Sequence, residues 1–180
     1  LAGWGARGVI RASRSGGVRR DRVDLEAHPS SASGLVQTMA ADGGDAADTR
    51  STLGHGMLAG VLHASGVLCD KLVRSMAADD IGASFAPKAV AASHMCTGRA
   101  QTPLEAVTLF SSVASTLGSL GQANYAAANA FLDALASSCR VRATVASSLQ
   151  IPAVSGAGMG ASTFDAAQLH AMGGVSLDEF

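Results

Sequence analysis

Aromatic residues are scarce in this chain: one Trp, one Tyr and five Phe in 180 residues, 4% in all. Any phenol chemistry therefore falls to a single side chain, Tyr125. Charged residues make up only 15% and the formal net charge is −1. That balance gives no electrostatic case for a nucleic-acid partner or an anionic membrane surface. No apolar run approaches the roughly 20 residues needed to cross a bilayer, so no membrane span is expected. The three cysteines, Cys69, Cys96 and Cys139, are odd in number and widely spaced. They match no metal or disulfide spacing, no metal site is expected, and a reducing, cytoplasmic setting follows. The N-terminus, Leu1-Ala2-Gly3-Trp4, has no initiator Met, no basic region and no signal-type apolar stretch. It reads as a cut through a longer protein. No repeat of solenoid period is visible.

What is present is a globular composition, 48% hydrophobic and rich in Ala and Gly. Five apolar runs alternate with helical stretches, the pattern of a parallel sheet covered on both faces. They are residues 8–13, 34–40, 57–63, 107–112 and 143–149. Between the last two, the Ala-rich run 122–140 is strong helix material. Residues 72–95 supply one or two further helices, interrupted near Pro87. The polar stretches 19–33 and 43–56 read as short helices or loops. The expected fold is α/β, a Rossmann-like doubly wound parallel sheet flanked by helices, in one domain over 1–180. Residues 156–180 form a lid-like or loosely packed tail.

The chemistry-bearing block runs from Phe110 to Asp133. A hydroxyl at the C-terminal end of a strand, followed by a Tyr on the next helix, is a workable arrangement for delivering a proton. Doubly wound sheets place ligands at that end of their strands. Ser112 stands there, thirteen positions before Tyr125, and Asn129 lies four positions further on, on the same helical face. A tyrosine hydroxyl has an unperturbed pKa of about 10, and bringing one to about 7 requires roughly 4 kcal/mol of preferential phenolate stabilisation. A nearby ammonium is the ordinary source. Lys88 is the candidate, and Lys71 is the chain's other lysine.

Singly, each residue has a plainer explanation. A Tyr on an Ala-rich helix is usually packing, two serines at a strand end usually cap a turn, and Asp70 suits a helix N-cap. His63 suits packing, and the cysteines suit buried small hydrophobes. For Lys88, Ser112, Tyr125 and Asn129 those explanations give way only because their joint spacing and flanking residues match those of a known family.

The block resembles the active-site segment of polyketide synthase ketoreductases, a branch of the short-chain dehydrogenase/reductase superfamily. In them a Ser-Ser strand end precedes an Asn-Tyr-Ala-Ala-Ala-Asn helix, here Asn124 to Asn129. Most of the superfamily carries its lysine on the tyrosine helix. These ketoreductases put asparagine there and bring the lysine from an earlier helix, as Asn129 and Lys88 do here. The resemblance implies NADPH-dependent reduction of a β-ketoacyl group held by phosphopantetheine on an acyl carrier protein, with other domains of the same synthase chain as partners. It implies that Tyr125 protonates the nascent alkoxide, Ser112 holds the carbonyl oxygen, Lys88 supplies the ammonium and holds the ribose, and Asn129 fixes a water or backbone group. It also implies that Arg14 and Ser15 meet the 2′-phosphate, that Asp42 lies beside the adenine, and that His63, Ala64 and Gly66 back the cofactor with Lys88 and Tyr125.

Leu68-Cys69-Asp70 resembles the Leu-Asp-Asp signature of B-type ketoreductases, and Leu117 stands where the opposite class has Trp. The family's first strand and glycine-rich loop have no counterpart, so this segment alone is expected to bind NADPH poorly and to be inactive. The family's usual Trp-Gly-Pro/Ala-Trp is replaced at Ile151, Pro152 and Val154. Two alternatives accompany this resemblance. One is a fatty acid synthase ketoreductase or free-standing short-chain reductase; the other is a non-reducing, structural ketoreductase-like domain.

Overall fold

The computed structural model describes residues 8–17, 35–55, 58–98, 104–142 and 145–155, together with 165, 167, 169 and 174–176. Among these residues the strands are β1 (Gly8–Ser13), β2 (Leu35–Ala40), β3 (Gly60–His63), β4 (Ala106–Ser112) and β5 (Ser147–Ile151). The helices are α1 (Ala46–Leu53), α2 (Ala78–Phe85), α3 (Ala91–Gly98), α4 (Ala114–Leu117) and α5 (Ala123–Val141). Every pairing of strands is parallel: β1 with β2 in one sheet, and β3-β4-β5 in another. The architecture is open and Rossmann-like.

The central strand explains itself. β4 buries Val107 and Leu109 among β3, β5 and α5, and its last two residues, Ser111 and Ser112, are buried as well. Helix α5 turns Ala128, Asn129, Leu132, Ala136 and Cys139 inward at three- and four-residue spacing. The small alanines let it sit close to the sheet. Leu53, Ala92, Leu104, Val107, Leu109, Leu132, Ala136, Cys139 and Ala146 form one apolar core. Cys139 belongs to it, with its Sγ 3.6 Å from that of half-buried Cys96. Helix α1 starts on an N-cap, Asp45, whose carboxylate accepts from the amides of Ala47 and Asp48.

Three expectations need correction. The helix is not interrupted at Pro87: α2 runs through a π-helical turn, Ala86–Val90, directly into α3. A wider turn accommodates a residue that has no N–H to give, and such turns recur at functional sites. The fifth strand is set further along than 143–149, at Ser147–Ile151, and β3 begins at Gly60. Stretch 19–33 lies outside the described residues, whereas 43–56 contains α1. In the tail, Val175 bridges to Val154 and Leu169 is buried.

Candidate active site

Four residues from three elements converge at the C-terminal end of β4. The π turn delivers Lys88, β4 ends in Ser112, and α5 carries Tyr125 with Asn129 one turn later. Lys88 is 3% exposed. Its Nζ donates to the Phe110 carbonyl at 3.0 Å and stands 5.4 Å from the centre of the Tyr125 ring. Burial pulls the ammonium down to about 8, with the charge of Asp133 opposing that fall. A lysine so poised changes charge close to neutrality, which is a common feature of catalytic centres.

Asn129 is fully buried; its Nδ2 donates to the Tyr125 carbonyl at 2.9 Å, and its own carbonyl accepts from Ser111 Oγ at 3.2 Å. Its Oδ1 has no partner and is one of two such buried side-chain atoms among the described residues, the other being His63 Nδ1. An orphaned acceptor beside a candidate acid marks a place for a water or ligand group. Ser112 Oγ accepts from the amide of Ala114 at 3.2 Å, so its turn-capping role is real and coexists with its place at the strand end. His63 is packed, as its residue type suggests: its Nε2 meets the Lys88 carbonyl at 3.2 Å, and burial lowers its pKa, keeping the ring neutral.

Sequence reasoning missed the residue beside the tyrosine. The buried amide of Asn124 donates to the Cys69 carbonyl, the Asp80 carbonyl and Ser84 Oγ at 2.9–3.0 Å, while its Oδ1 accepts from the Tyr125 amide. Asp70 is not a helix N-cap. Its Oδ2 accepts from Gln122 Nε2 at 2.9 Å, and the Lys71 amide donates to the Gly121 carbonyl at 2.8 Å. Segment 69–71 is thus latched to the entry of α5. Gly118 and Gly121, at φ +74° and +76°, supply the left-handed turns that the entry needs. Leu117 is 80% exposed beside it.

A second cluster lies at the ends of β1 and β2. Arg14 and Asp42 line one cavity of about 180 Å³ with Val67, Ala83, Ala86 and Pro87. Asp42 Oδ1 accepts from the Gly44 amide, and Ser15 Oγ accepts from the Gly17 amide. Exposed Ala64 and half-buried Gly66 follow the end of β3. The donor set suits a phosphorylated nucleotide: an exposed guanidinium, an acid for a polar base edge, and an apolar wall formed by α2 and the π turn. Among the described residues no group of three or more His, Cys, Asp or Glu is placed to hold a metal, and no helix is long and apolar enough to cross a membrane.

The family model "KR domain" matches residues 1–156. Polyketide synthase GfsA of Streptomyces halstedii is 41% identical over 151 residues, covering 81% of this chain and 2% of that protein. Mycoketide-CoA synthase of Mycobacterium tuberculosis is 36% identical over 153 residues, covering 83% and 4%. A solved A-type ketoreductase from a modular polyketide synthase superposes with a TM-score of 0.83 at 32% identity, over 94% of this chain and 36% of that one. The first ketoreductase of the tylosin synthase gives 0.78 at 28%, over 87% and 35%. The chain thus spans a few hundredths of these synthases and about a third of these domains.

Proposed function

Since this chain belongs to the KR-domain family, the ketoreductases of polyketide synthases, we propose that it reduces the β-carbonyl of an acyl thioester on an acyl carrier protein, using NADPH. The observation that carries this reading is the buried Lys88 ammonium over the face of Tyr125, at the strand end where Ser112 stands. NADPH, when bound, supplies the hydride that goes to the carbonyl carbon. Ser112 Oγ accepts from the Ala114 amide and keeps its own hydrogen to donate to the carbonyl oxygen. Tyr125 gives that oxygen its proton, and the Lys88 ammonium steadies the phenolate left behind. Proton donation of this kind is typically worth about 10²–10⁴-fold, and polarising the carbonyl contributes separately.

Arg14 and Ser15 would take the 2′-phosphate and Asp42 the adenine, in the cavity at the ends of β1 and β2. His63, Ala64 and Gly66 would back the cofactor from the end of β3, and Lys88 and Tyr125 would meet the ribose. Asn129 Oδ1 would hold a water. We also propose B-type stereochemistry. Its support is Asp70, fixed by Gln122, and exposed Leu117 in the place where the opposite class has Trp.

The test is NADPH consumption by the full-length protein presented with a β-ketoacyl thioester, followed by chiral analysis of the alcohol. Turnover to the D-configured alcohol supports both parts, and turnover to the L-configured alcohol refutes the B-type part alone. A protein that binds NADPH but reduces nothing supports the non-reducing alternative, with Ile151, Pro152 and Val154 as the residues to restore first.

A further inference from the structure

Asp133 lies eight positions after Tyr125 and four after Asn129, on the same face of α5. Its carboxylate gathers donors from two other elements. Oδ2 accepts from Ser115 Oγ of α4 at 2.8 Å and from Gln150 Nε2 of β5 at 2.9 Å, while Oδ1 accepts from Ser148 Oγ of β5 at 2.5 Å. Gln150 Nε2 also reaches Ser115 and Thr116, whose Oγ1 donates back to Gln150 Oε1. Burial alone raises the acid's pKa, but the donors from Ser148, Gln150 and Ser115 outweigh it and keep the group ionised. The clamp acts three positions beyond Ser112, at Ser115. Ser115 follows Ser112 through the turn in which Ser112 Oγ accepts the Ala114 amide, and the Val113 amide is held by the Ile151 carbonyl of β5.

We propose that Asp133 is a positioning residue: its carboxylate fixes the Ser112 turn and β5 against the Tyr125 helix. This rests on the reductase reading for its purpose but not for its measurement.

The test compares Asp133→Asn with its parent in the full-length protein, by amide hydrogen exchange at the Ser112 turn and by steady-state reduction of a β-ketoacyl thioester. Exchange at the Val113 and Ala114 amides, held by the Ile151 carbonyl and Ser112 Oγ, is expected to quicken about tenfold in the variant. The rate constant for reduction is expected to fall about tenfold with KM little changed, since a displaced catalytic turn loses rate more than binding. Unchanged exchange at the turn overturns the proposal whatever the rate does. Should Asp133→Asn fail to fold, Ser115→Ala replaces it by removing one donor to the same carboxylate, and unchanged exchange there overturns the proposal. The exchange readout needs no turnover, so a protein that reduces nothing refutes the reductase reading separately.

Discussion

Lys88 Nζ stands 5.4 Å from the centre of the ring of Tyr125, the chain's one tyrosine, while donating to the Phe110 carbonyl. A cation over an aromatic face gains some attraction, but this one is taken almost wholly out of water to get there. The folded chain tolerates that burial at a cost in stability, and the cost can be measured.

In the folded chain Lys88 titrates at about 8, against 10.5 for an unperturbed lysine. Between those values the unfolded chain binds the extra proton, so stability rises as pH climbs from about 8 to about 10.5. Below pH 8 the folded state carries the full penalty, on the order of 3 kcal/mol. Lys88→Met removes the titration and leaves the Phe110 carbonyl without its donor, so its gain at pH 7 is expected to be about 1–2 kcal/mol. Urea melts at pH 7 and pH 10 check this. The variant's advantage shrinks at the higher pH, and a pH-independent difference contradicts the assignment.

Asn129 Oδ1 is buried and unpaired, whereas its Nδ2 is bonded within the helix. Removing an orphaned acceptor relieves a penalty that offsets the bond lost with it. Asn129→Ala should therefore stay within about 1 kcal/mol of the parent in stability, yet lose activity by roughly tenfold or more, in the lower part of the range for disrupted proton delivery. A parallel fall in melting temperature and rate would mean that the residue is merely structural.

Asn124 bonds to the segments at Cys69, Asp80 and Ser84 while receiving the Tyr125 amide. Asn124→Ala strands several buried groups at once, and thermal or urea melts should show a loss of about 2–3 kcal/mol. Gln122→Ala, which breaks only the bond to Asp70, should cost less than half of that. Equal losses would contradict the latch.

The strands were legible as short apolar runs between helical stretches, although β4 alone among β1, β3, β4 and β5 is largely buried. The four candidate site residues were read from the resemblance of their spacing to that of the ketoreductases. Pro87 misled because local propensity says nothing about a π turn, which carries the helix past a residue without an N–H. Asn124 and Asp133 were hidden for a different reason: their partners at Cys69 and Gln150 are brought near only by the fold. For Asp133 a signal did exist, the eight-residue step from Tyr125 along one helical face. The nucleotide side was read by resemblance, and the structure places Arg14 and Asp42 on one cavity.

The most direct test of the central claim is NADPH oxidation by the full-length protein with a β-ketoacyl thioester on an acyl carrier protein, run beside Tyr125→Phe. The expected result is turnover in the parent and a loss of about 10²-fold or more in the variant at saturating NADPH. Turnover that survives the loss of the only phenol in the chain, or a parent that binds NADPH and reduces nothing, contradicts the account.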